Sequence, residues 1–181
     1  MEIILQKPRS KKDFIGLAIV GVGKIATGDA KYCHVAIRIN GRVYESLVFG
    51  GVSSRDFKLA YANLPHDVVE IPNTMMPRFN EAEAWKYLES LIGQFRGLYG
   101  LGKIPLGLLD GVASFIRRKR VFWFTKIFGI KSFPVCSPLV AKVLNKFSAT
   151  QKNRDYFNNW IGMSPDDISD TLSLMKSEGA I

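Results

Sequence analysis

Asn40-Gly41 separates two runs of alternating apolar character, residues 34–39 (HVAIRI) and 42–49 (RVYESLVF). Both turn residues tolerate positive φ, which a two-residue hairpin loop requires, so this dipeptide commits the chain to an antiparallel hairpin. So short a loop also sets the register: Ile39 faces Arg42, Arg38 faces Val43, Ile37 faces Tyr44, and position 36 opposes Glu45. Alternation then sends Cys33, Val35, Ile37 and Ile39 to the core face, and His34, Ala36 and Arg38 to a face free to border a cleft. Cys33 reads as a small buried hydrophobe. His34 and Glu45 become diagonal neighbours, ~7–8 Å apart at Cα, near enough for the carboxylate to orient the imidazole.

A second constraint lies far downstream, in FPVCSPLVAKVLNKF. Here Leu139, Val140, Val143, Leu144 and Phe147 recur at helical spacing. Pro138 suits the first helical position, where its missing N–H has no partner to lose. Cys136 therefore stands just before a helix, and the positive end of the helix dipole favours its thiolate. A thiol nucleophile needs a base within hydrogen-bond reach, and that base needs a third group to hold its tautomer. Cys136 as nucleophile, His34 as base and then acid, and Glu45 as orienter fill those roles. The oxyanion would fall near the backbone N–H groups at the helix start, that of Cys136 included. Spacing alone leaves a plainer reading open. A cysteine before a helix and a histidine in a strand are ordinary structural residues, and their order does not bring them together.

The 181 residues suffice for one domain with a sizeable core, and no repeat, low-complexity tract or linker divides 1–181. A hydrophobic content of 47% against 23% charged excludes a disordered chain. Two cysteines make no disulfide framework, so a reducing compartment, the cytoplasm, is expected. The cysteines and histidines show no zinc spacing, and no phosphate loop or dinucleotide fingerprint occurs, so neither metal nor cofactor is expected. A net charge of +9 implies affinity for an anionic surface, whether phospholipid, nucleic acid or acidic polymer. KPRSKKD, FIGLAIVGVG and ATGDA imitate the basic, apolar and small-residue parts of an export signal. MEIILQ ahead of them, Lys24 at their exit and the closeness of His34 to a cut near Ala30 argue against one. No apolar run reaches the ~18 residues of a spanning helix.

Elsewhere the patterns are coarser. Residues 1–30 read as an opening strand or turn and a short helix or buried segment over 14–26. Gly50-Gly51 ends the second hairpin strand, and a third strand over 67–71 leads into a 72–77 loop. Asn80 is positioned to cap a helix over 81–94 with Trp85, Leu88, Leu91 and Ile92 inward. A further helix is expected over 108–118, and Ser164-Pro165-Asp166-Asp167-Ile168 offers another helix start. His66, after a proline, reads as a surface-loop residue.

CHVAIRINGRVYES, Gly51-Val52 and the later CSPLV together resemble the circularly permuted branch of the NlpC/P60 superfamily, the permuted papain-like amidases of YiiX/YaeF type. Gly93 to Tyr99 in GQFRGLYG is similar to that family's "G..Y" element, and Trp160 to Ile168 to its trailing "tPddl" segment. The resemblance spans about residues 14–170. It departs at Cys33, where serine is usual, and at Pro138, where glutamate is usual. It implies an α+β fold, a small antiparallel sheet packed by helices, with the Cys136 helix facing the sheet. It also implies a Cys136–His34–Glu45 triad in which permutation puts the histidine first. Hydrolysis of an amide bond, such as one in a peptidoglycan-type peptide, or acyl transfer is the implied reaction.

Three function classes follow. The first is a thiol-dependent amidase or peptidase. The second is an acyltransferase or esterase acting on lipid at an anionic membrane surface. The third is a basic binding module that uses the cleft for recognition alone. Residues 117–131 alternate basic side chains with Val121, Phe122, Trp123, Phe124, Ile127 and Phe128, either as a membrane-surface contact or as a buried aromatic segment with solvated charges. Nucleic acid is the less expected partner. Tyr99 is a candidate for the cleft wall as a substrate-binding residue, with a structural role equally open. Specificity is expected in the loops 50–66 and 97–134, and the sequence is silent on substrate and oligomeric state.

Overall fold

The computed structural model describes residues 1–10, 13, 16, 17, 19–21, 24, 29–47, 51–94, 136–160 and 163–181. Tyr99, the 108–118 helix, the 117–131 run and parts of the 14–26 and 160–168 readings lie outside them. The strands are β1 (Glu2–Gln6), β2 (His34–Ile39), β3 (Arg42–Leu47), β4 (Gly51–Asp56) and β5 (His66–Glu70). The helices are α1 (Phe57–Tyr61), α2 (Arg78–Leu91), α3 (Cys136–Phe147), α4 (Gln151–Asp155) and α5 (Pro165–Ser177). The architecture is α+β.

The strands form one antiparallel sheet in the order β4-β3-β2-β1-β5. β1 lies inside the sheet and is covered on both faces, which is why its Ile3-Ile4-Leu5 is a continuous apolar run and does not alternate. Ile3 and Leu5 join Val35, Ile37, Ile39 and Tyr44 against Leu88 of α2, Leu139 to Leu144 of α3 and Ile168, Leu172 and Met175 of α5. On the other face Ile4, Ala36 and Val43 pack under Tyr61 of α1.

The hairpin turn has φ of 51° at Asn40 and 76° at Gly41, the left-handed pair that such a loop demands. Ile37–Tyr44, Arg38–Val43 and Ile39–Arg42 pair as the turn dictates. The face expected to border a cleft is instead sealed by α1 over Ala36 and Val43, with His34 and Arg38 half-buried on either side of that patch.

Other expectations need correction. Gly51 begins an additional strand, β4, paired along all of β3. β5 starts at His66, which is no loop residue: its ring stands edge-on to Phe57 and Tyr61 at 5.6 Å. α2 starts at Arg78 with no side-chain cap, and Asn80 Nδ2 instead donates to the Phe147 carbonyl at 2.8 Å, tying α2 to the end of α3. Ala84 and Leu88 form the buried stripe of α2, whereas Trp85 and Ile92 are exposed. At α5, Ser164 and Asp167 close a capping box at the expected start. Among the described residues no helix is long and apolar enough to cross a membrane.

Candidate active site

α3 begins at Cys136, so Pro138 falls within the first turn and not at its first residue. The placement remains harmless, because first-turn N–H groups have no partner inside the helix. Leu139, Val140, Ala141, Val143 and Leu144 are fully buried and hold the helix against the sheet. Each larger side chain contributes about 1.5–3 kcal/mol of burial, which fixes where the thiol at the helix start can sit.

That place is beside the open end of β2. Pairing between β2 and β3 runs only from Ile39–Arg42 to Ile37–Tyr44, one step short of the expected opposition of position 36 and Glu45. The backbone N–H groups of Val35, beyond the end of that ladder, and of Ser137 act on the Cys136 sulfur and favour its thiolate. The His34 imidazole meets the same sulfur through its side chain. His34 Nε2 lies 2.9 Å from Glu45 Oε2, which leaves Nδ1 as the nitrogen toward the thiol. The cross-strand orientation expected from the hairpin is therefore present, and α3 brings Cys136 to it. Cys136 is 7% exposed, the His34 side chain 16% and the Glu45 side chain 1%.

Glu45 is held from two further sides. Arg55 donates to Oε1, from Nε at 2.8 Å and from Nη2. The Tyr61 hydroxyl donates to Oε2 at 3.2 Å. Arg55 sits opposite Val43 while Glu45 sits opposite Ser53, so Arg55 is the diagonal same-face neighbour of Glu45. Neither Arg55 nor Tyr61 emerged from the sequence. GVSSRD carries almost no strand signature, and α1 is a five-residue helix without periodicity. The one available signal was the Gly51 turn, which would have laid β4 along β3.

Burial by itself would push the Cys136 thiol up. The His34 charge, its hydrogen bond and the two backbone N–H groups reverse this and hold the thiol below its ordinary value. Burial would likewise depress His34, but the Cys136 thiolate and Glu45 hold the ring above its ordinary value. Glu45, which burial would raise, is lowered by His34 and then by Arg55. Charges thus alternate along the row: thiolate, imidazolium, carboxylate, guanidinium. A buried ionic group survives when each member has a partner, and each has one here. Burial and the adjacent carboxylate drive the Tyr61 phenol far above its ordinary value, so it remains a neutral donor.

Cys33 lies elsewhere. It is 5% exposed, its Sγ donates to the Gln6 carbonyl at 3.5 Å, and burial, Asp13 and Cys136 push its thiol up to about 11. Among the described residues no group of three His, Cys, Asp or Glu side chains is placed to hold a metal ion. The chain matches no family model, no curated protein and no solved structure. The chemistry of the site therefore stands on its geometry: an activated thiolate, a base that can return a proton, and a locked orienter.

Proposed function

We propose that this protein is a thiol-dependent amide hydrolase of the permuted papain-like class, with Cys136 as nucleophile, His34 as general base and acid, and Glu45 as the group that orients His34. The observation that carries the reading is the convergence of α3, β2 and β3 on one alternating row, Cys136–His34–Glu45. In the reaction the Cys136 thiolate adds to the substrate carbonyl, forming a C–S bond, and the oxyanion settles against first-turn N–H groups of α3. The C–N bond then breaks, and the leaving amine takes a proton from the His34 imidazolium. Water, deprotonated by the now neutral His34, attacks the thioester. The acid is released and the thiolate–imidazolium pair is restored. An acceptor amine or alcohol in place of water would give acyl transfer at the same site.

The test is trapping of the thioester. Full-length protein is incubated with an activated acyl donor, p-nitrophenyl acetate, and acid-quenched, and its peptides are weighed. An acetyl group on Cys136, absent from Cys136→Ala and strongly reduced in His34→Ala, is the expected result. No adduct on Cys136, or one formed equally in His34→Ala, would overturn the reading.

A further inference from the structure

Lys7, Arg38, Arg55, Lys86 and Lys152 each pair with a carboxylate. Lys142, Lys146 and Arg154 differ: among the described residues none of the three has a carboxylate within ion-pair distance. Yet all three line one cavity of about 420 Å³ between α3 and α4, with Trp160 in its wall. The acidic side chain of α4, Asp155, is already engaged, accepting from Gln151 and Asn158 at 2.8 and 3.0 Å.

The cations are held there. Lys142 and Lys146 are i, i+4 neighbours on α3, a spacing at which like charges repel and destabilise a helix. The helix dipole rewards a cation in the last turn, which accounts for Lys146 but not for Lys142. Both ammonium groups nevertheless lean on one ring. Lys142 Nζ stands 5.7 Å from the Tyr87 centroid and 5.3 Å from that of Trp160, and Lys146 Nζ stands 4.6 Å from Tyr87. Tyr87 in turn packs on Phe147 at 5.7 Å, so the platform belongs to the contact between α2 and α3. Arg154 is fixed by donation from Nε to the Ser148 carbonyl at 2.9 Å, and its two terminal nitrogens have no partner among the described residues. Like charge gathered in this way costs stability until an anion neutralises it.

We propose that this cavity binds a phosphate monoester group, held by Lys142, Lys146 and Arg154. Three cations call for more than one negative charge. A phosphate monoester carries about −1.5 to −2 at neutral pH on three acceptor oxygens, where a carboxylate carries a single charge. The free edge of a guanidinium matches two of those oxygens, and ammonium groups serve as point charges. The cavity falls within the roughly 300–1,000 Å³ of small-molecule sites, which leaves room for the organic part of the ester beside Trp160. Cys136 opens α3 and these lysines lie in its second half, so the site is separate from the thiol.

Two probes carry the same phosphate from different sources: glycerol 3-phosphate in solution, and phosphatidic acid in phosphatidylcholine vesicles. Binding of each to the full chain at low salt is measured by calorimetry and by cosedimentation. Glycerol 3-phosphate should bind at least about tenfold tighter than lactate, a monoanion of similar bulk, the scale of one added charged hydrogen bond. Lys142→Gln/Lys146→Gln should weaken it about tenfold or more, whereas Lys58→Gln/Lys176→Gln, which removes the same charge from exposed positions elsewhere, should leave it unchanged. The same variant dependence seen only on vesicles would support the site and make a lipid headgroup its ligand. Wild-type protein that binds lactate as tightly as glycerol 3-phosphate, or neither phosphate probe, overturns the proposal without any variant. So does binding that weakens equally in the two double variants, which would trace it to overall charge.

Discussion

Cys33 and Cys136 are both almost wholly buried, 5% and 7% exposed, yet their surroundings drive them in opposite directions. Cys33 meets a backbone carbonyl, an acceptor that rewards the neutral thiol, and is held up at about 11. Cys136 meets a cationic ring and two backbone N–H groups, all of which reward the thiolate. Burial is common to both and cannot explain the difference. Reactivity in this fold is set by the sign of the partners that α3 and the open end of β2 supply.

Removing the proposed nucleophile should separate the two thiols most. Cys136→Ala should lower any turnover by at least about 10⁴-fold, as measured by product release under saturating substrate, while Cys33 labelling is unchanged. Next comes His34→Ala. Without the cation, burial dominates at Cys136, so its iodoacetamide rate at about pH 6 should fall about 100-fold or more, toward that of Cys33. If Cys136 stayed fast, the thiolate would owe its stability to the helix start alone.

Glu45→Gln should reduce kcat about tenfold by loosening the His34 ring, with a second signature in stability. Glu45 is held below the ordinary carboxylate range. Its contribution is therefore full above the unfolded value of ~4.3 and is lost as pH falls through the lowered folded value. Urea unfolding at a series of acid pH values should show that loss in the wild type and a flatter profile in Glu45→Gln. Arg55→Met leaves the Glu45 charge uncompensated by its cation, so the His34 imidazolium persists to higher pH. The basic limb of the rate profile should move upward, with a rate loss of only a few-fold. Cys33→Ala should have the smallest effect: no change in Cys136 labelling, and about 1 kcal/mol of stability in a denaturant melt.

The parts of this molecule legible in the sequence are those governed by local rules. Asn40-Gly41 fixed a turn and a register, the apolar spacing after Cys136 fixed a buried helix, and Ser164 with Asp167 marked a capped start. His34 and Glu45 followed from that register. The illegible parts answer to tertiary partners. β4 is an edge strand carrying Ser53, Ser54, Arg55 and Asp56, and an edge needs no apolar alternation to pair on its inner side. Asn80 carries the right side chain for a cap but is drawn to the Phe147 carbonyl. Trp85 has the bulk of a core residue, yet its indole N–H finds the Tyr44 hydroxyl at 2.7 Å and holds the ring at the surface. Arg55 and Tyr61 became visible only once β4 and α1 were folded over Glu45.

The central claim is that Cys136 is a thiolate where Cys33 is a thiol, and both can be read in one sample. Alkylation of the two cysteines by iodoacetamide, followed peptide by peptide across pH, gives each its own titration curve. The account predicts a Cys136 curve that rises at lower pH than an ordinary thiol, with Cys33 rising only toward about 11. Two curves rising together in the alkaline range, unchanged by His34→Ala, would contradict it.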